Sequence, residues 1–142
     1  MQYAIQVARE ELLSLEPAVV GICLVLDVGA GTVFRYWDAS PSRFSSGTWD
    51  LGDNGTGAGK RVDMSALLKA YRNRRAVEFT RAETAVGKNG GLVRVIGVPL
   101  QRAVVGVSFG DTPARDPQSW IGELGALLEA GAQRELGAQE AA

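Results

Sequence analysis

The sequence predicts an α+β domain: a five-stranded antiparallel sheet with an N-terminal, a middle and a C-terminal helix. Three observations carry that reading. Leu92 to Gly110 holds two runs rich in β-branched residues, separated by Gln101-Arg102, and reads as two adjacent central strands joined by a tight turn. Val19 to Leu26 and Thr32 to Asp38 flank the glycine-containing turn Asp27 to Gly31 and read as a β-hairpin. Both ends of the chain carry apolar residues at helical spacing. Packing the helices mainly on one face of the sheet is the economical arrangement.

Taken in order, Tyr3 to Leu15 forms the first helix, with Ile5, Ala8, Leu12 and Leu15 on its apolar stripe and Pro17 ending it. Val19 to Leu26 is a continuous apolar run too short for a helix, hence a central strand. In the next strand, Thr32, Phe34 and Tyr36 alternate with Val33, Arg35 and Trp37. Residues 39–61 are rich in Ser and Gly and read as one long loop, interrupted by Trp49. Asp63 is an N-cap candidate for a helix over Met64 to Arg74, with Leu67, Leu68 and Tyr71 available for packing. Arg72, Arg74 and Arg75 complement the dipole at its end.

Ala76 to Glu83 alternates as a half-exposed strand and Gly87 to Gly91 forms a turn. Asp116-Pro117 starts the last helix, with Asp at the N-cap and Pro at the first helical position. Its stripe is Trp120, Ile121, Leu124, Leu127 and Leu128, with Glu123 and Glu129 outside it. An Ala-rich, weakly helical tail follows Gly131.

Composition narrows the function. The 142 residues fit a single domain, 46% of them are apolar, and the net charge is −1. That balance draws the protein as a whole toward neither nucleic acid nor an anionic membrane. No apolar run is long enough to span a bilayer. The chain has no histidine, which excludes Ser-His-Asp and Cys-His catalysis and removes the usual ligand for zinc or haem. Cys23 is a lone cysteine in an apolar run, expected as a buried thiol in a reducing, cytoplasmic setting. Gly55-Thr56-Gly57-Ala58-Gly59-Lys60 falls short of a phosphate loop. Asn54 stands where the first glycine belongs, and Arg61 replaces the magnesium-binding Ser or Thr. Asp50 to Gly55 lacks the ligand spacing of a calcium loop.

Val98 to Val107, V-P-L-Q-R-A-V-V-G-V, resembles the signature region of GAF domains, in which a strand ending in V-P-L turns into one carrying V-x-G-V. Arg61 to Phe79 is similar in layout to the GAF helix and edge strand. Trp120 to Ala130 resembles the closing helix. The resemblance covers about half the chain. It implies a non-catalytic sensory or regulatory domain of GAF/PAS/profilin-like fold that binds a small ligand or a protein partner in signalling. Neither a chromophore-type Cys or His nor the N-K-F-D-E pattern of cyclic-nucleotide binders is present, so no cofactor is implied. The helix and strand order is also similar to roadblock/LC7 domains, which are dimerising scaffolds for small GTPases, and to a small profilin-like haem-binding family.

The expected site is a pocket between the sheet and the 39–61 loop. Phe34, Tyr36, Trp49, Phe79 and Phe109 would form apolar walls, and Arg81 would meet an anionic group. The expected partners are a small molecule, a second copy of the chain or another protein, with neither nucleic acid nor membrane, and with no metal ligands or catalytic residues.

Overall fold

The computed structural model describes residues 1–39, 44–50, 62–82, 92–113 and 116–141, with the side chains at 62–65, 81–82, 92 and 138–141 outside that description. The elements run α1 (Gln2–Leu15), β1 (Val19–Asp27), β2 (Val33–Ala39), β3 (Phe44–Asp50), α2 (Val62–Asn73), β4 (Val77–Ala82), β5 (Leu92–Pro99), β6 (Ala103–Phe109) and α3 (Pro117–Ala141). All strand pairings are antiparallel, in the order β3-β2-β1-β6-β5-β4. The α+β class, the three helices and the antiparallel sheet match expectation.

The strand number does not, because the sheet has six strands rather than five. The additional strand, β3, lies inside the stretch expected to be loop. Its Phe-Ser-Ser-Gly-Thr-Trp-Asp sequence is mostly small and polar, so it carries little hydrophobic periodicity. Pairing with β2 supplies the order that its own propensity lacks: Val33 faces Asp50, Phe34 faces Trp49 and Tyr36 faces Gly47. The turn expected at Gly87 to Gly91 lies outside the described residues, as do the remainder of the long loop and the Gly55–Lys60 motif.

The helices divide between the two faces, two on one and α2 on the other, where the expectation was mainly one face. On one face α1 and α3 cover Ile22, Leu24, Leu26, Trp37, Ile96, Val105, Val107 and Phe109. On the other, α2 packs over β4, β5 and β6, and Val25, Phe34, Trp49, Leu67, Leu68 and Val104 form a second core. Alternation along β1 and β6 explains the split, because both central strands are apolar on both sides. All seven residues of β6 are buried. A strand of that kind needs cover on each face.

Glycines set how closely the helices approach. Gly97 and Gly106 lie opposite each other in β5 and β6. A Cβ at Gly97 would stand 2.6 Å from Leu67 Cδ2, and one at Gly106 3.2 Å from both Leu67 methyl carbons. Leu67 therefore sits in a seat that two missing side chains leave open. Its burial contributes about 1.5–3 kcal/mol. Gly125 does the same for α3, since a Cβ there would fall 2.6 Å from Val105 Cγ1.

Helix boundaries follow local chemistry. Pro117 opens α3, and Asp116 Oδ1 accepts the Gln118 N–H at 3.2 Å. α3 then continues through the Ala-rich tail to Ala141. α2 begins at Val62, which puts Asp63 in its first turn rather than at the cap. It ends at Asn73; Arg74, at φ 55°, then reverses the chain, and the Arg75 N–H donates to the Ala70 carbonyl at 3.2 Å. Three stripe assignments change. Leu15 and Leu127 are 68% and 73% exposed. Glu129, expected outside the stripe, is only 8% exposed, because its carboxylate accepts the Arg102 N–H at 2.7 Å.

Candidate functional site

Four of the six expected site residues gather on the α2 face. Phe34, Trp49, Tyr36 and Phe79 belong to the core shared with α2. Phe34 and Trp49 are cross-strand neighbours with ring centroids 6.3 Å apart. Tyr36 lies over Gly47, where a Cβ would come 2.8 Å from the phenol oxygen. The ring covers a gap that glycine leaves in an edge strand. Trp49 is 3% exposed, and its buried indole N–H has no hydrogen-bond partner among the described residues. An orphaned buried donor of that kind costs about 1–3 kcal/mol. Half-buried Cys23 borders the same core.

Phe109 does not join this group. It belongs to the opposite core, where it packs edge-on against Trp120 of α3 at 6.1 Å between centroids. Position parity decides this: Phe109 shares its face with Ala103, Val105 and Val107, whereas Val104 faces α2. Arg81 lies in β4 opposite Val93, and its side chain is outside the described residues.

Sequence reasoning missed the polar groups that bind α2 to the end of the sheet. Tyr71 packs edge-on against Phe34, with centroids 5.9 Å apart and planes at 88°. Its hydroxyl donates to Asp27 Oδ2 at 2.8 Å, while Asp27 Oδ1 accepts the N–H groups of Gly31 at 2.9 Å and Gly29 at 3.1 Å. The turn is shaped for this, with Ala30 and Gly31 at φ 53° and 85°. Burial pushes the Asp27 carboxyl up. The Gly31 N–H, the Tyr71 hydroxyl, the Gly29 N–H and the charge of Arg102 outweigh it, so the carboxyl titrates below its ordinary value. Burial and the bond to Asp27 push the Tyr71 phenol up. Arg74 lies over the Tyr71 ring and donates to the carbonyls of Leu100 and Gln101 in the β5–β6 turn. Both partners were visible in the sequence, Asp27 in a turn and Tyr71 on a helical stripe. No local signal links positions 44 residues apart.

The arrangement defines a six-stranded antiparallel α+β domain whose α2 face combines an aromatic wall with one unsatisfied donor. Among the described residues there is no group of His, Cys, Asp or Glu that could hold a metal ion. No described helix is long and apolar enough to cross a membrane. No family model, curated protein or solved structure matches the chain.

Proposed function

We propose that this protein is a regulatory domain that binds a small, largely apolar molecule on its α2 face and performs no chemistry. One observation carries the reading: the Phe34–Trp49–Tyr71 aromatic group includes a buried indole N–H with no partner among the described residues. A ligand with a hydrogen-bond acceptor and a flat apolar body would satisfy that donor and stack on its neighbours. The resemblance of Val98 to Val107 to the GAF signature region supports the same reading.

Native mass spectrometry of the protein purified from its own host tests this. A bound small mass that Trp49→Phe weakens about tenfold supports the reading, since Phe keeps the wall and removes the donor. A ligand bound equally well by Trp49→Phe refutes the assignment of the site, and a protein that carries no added mass refutes ligand binding.

A dimerising scaffold similar to roadblock/LC7 domains is the second reading. It is supported by β4, which is the last strand of the sheet and has half-buried Val77 and Phe79 beside α2. Light scattering at micromolar concentration decides it, because a strict monomer rules it out.

A further inference from the structure

We propose that the end of the sheet formed by the α2 C-terminus, the β1–β2 turn and the β5–β6 turn docks an acidic segment of a protein partner. Arginines from two separate elements converge there. Arg72, Arg74 and Arg75 come from the end of α2, and Arg102 comes from the β5–β6 turn. All four are exposed. Hydrogen bonds place three of them around one spot. Arg72 reaches the Gly31 carbonyl at 3.4 Å, Arg74 holds the carbonyls of Leu100 and Gln101, and the Arg102 carbonyl accepts the Asp27 N–H at 2.8 Å.

The described residues at this end set three carboxylates against these arginines: Asp27, whose charge faces Arg102, Glu129 on the Arg102 N–H, and Asp50 opposite Val33. Both Asp27 oxygens are taken by Gly29, Gly31 and Tyr71, and Glu129 spends its carboxylate on a backbone N–H. At the far end of β5, by contrast, Arg94 is ion-paired with Glu78. Among the described residues the four arginines of this end outnumber its carboxylates, in a chain whose net charge is −1. Helix-dipole complementation applies to the arginines on α2, while Arg102, on a β-turn, adds its charge from a second element and faces Asp27.

The surroundings select the partner. Val28 exposes an apolar side chain in the β1–β2 turn, and a small apolar centre beside arginines is typical of protein interfaces. Membrane docking needs the basic and apolar surfaces to coincide. Here the larger exposed apolar side chains, Tyr3, Leu15 and Leu127, are on α1 and α3. Single-stranded nucleic acid needs aromatic faces for stacking. The aromatic ring at this end, Tyr71, is already packed against Phe34 and Arg74. Carboxylates match the guanidinium fork and leave the convex turns accessible to an extended chain.

The test is fluorescence anisotropy of a labelled hexaglutamate peptide with the full chain, at low and at physiological ionic strength. Arg72→Gln/Arg102→Gln is expected to weaken binding about tenfold, while Arg94→Gln removes the same kind of charge at the other end and leaves it unchanged. Arg75→Gln/Arg102→Gln serves as a second variant, with circular dichroism to establish that each is folded. The proposal is overturned if the peptide does not bind at low salt, or if Arg94→Gln weakens it as much. It is equally overturned if phosphatidylserine vesicles or oligouridine bind in preference to the peptide.

Discussion

Gly97→Ala places one methyl group where Leu67 already sits. The new Cβ would lie 2.6 Å from Leu67 Cδ2 and 3.2 Å from Val77 Cγ2. Leu67 is 2% exposed and has Gly106 beneath its other methyl, so it cannot swing aside without leaving its seat. Overpacking of this kind costs about 1–3 kcal/mol. Replacing a strand glycine returns about 0.5–1 kcal/mol of backbone entropy. The net expectation is a loss of up to about 2.5 kcal/mol in urea unfolding. The diagnostic measurement is a double-mutant cycle with Leu67→Ala, which alone costs about 2–5 kcal/mol. In that background the added methyl fills space instead of clashing. Gly97→Ala should then be neutral or stabilising, giving a coupling of about 1–2 kcal/mol. Additive costs would show that Leu67 does not occupy the glycine seat, and that α2 does not rest on β5 and β6 as described.

Four further outcomes follow from other contacts of the fold. The folded Asp27 carboxyl titrates below its unfolded value, so its stabilisation is present above the ordinary carboxylate range and fades as pH falls through the folded value; Asp27→Asn should flatten that acid limb in urea titrations across pH. Tyr71 titrates above its unfolded value, so its contribution is present below the ordinary phenol range and fades as pH rises through the folded value. Tyr71→Phe should remove that alkaline limb and cost about 1 kcal/mol at neutral pH. Phe109→Leu should lower stability by about 1–2 kcal/mol in urea unfolding yet leave binding on the α2 face unchanged, since its ring packs on Trp120 across the sheet. Glu129→Gln keeps an acceptor for the Arg102 N–H but loses its charge, for an expected cost of about 1 kcal/mol by thermal unfolding.

Much of the site was legible for a local reason. Alternation along β2 placed Phe34 and Tyr36 together before any partner strand was known, because successive side chains of a strand must point to opposite faces. The same rule was available for Phe109. Counting in steps of two from Val105 and Val107 puts it with them, and those valines face α1 and α3. Which face of β6 meets which helix depends on packing beyond the strand itself. Trp49 was expected on a pocket wall, but its strand was missed, since Ser45, Ser46 and Gly47 have little strand propensity of their own.

The sequence by itself determined the elements with strong periodicity or punctuation: the β1–β2 hairpin, the valine-rich β5–β6 pair, and the α3 start at Asp116-Pro117. Each follows from residues adjacent in the chain. Tertiary structure alone decided that β3 pairs with β2, that α2 lies on the opposite face from α1 and α3, and that Tyr71 meets Asp27. Glu129 was likewise buried by a partner, the Arg102 N–H, that no nearby residue announces. The physical reason is common to these cases. A weak strand, a two-sided apolar strand and a polar side chain each have more than one acceptable local state, and only a partner distant in sequence selects among them.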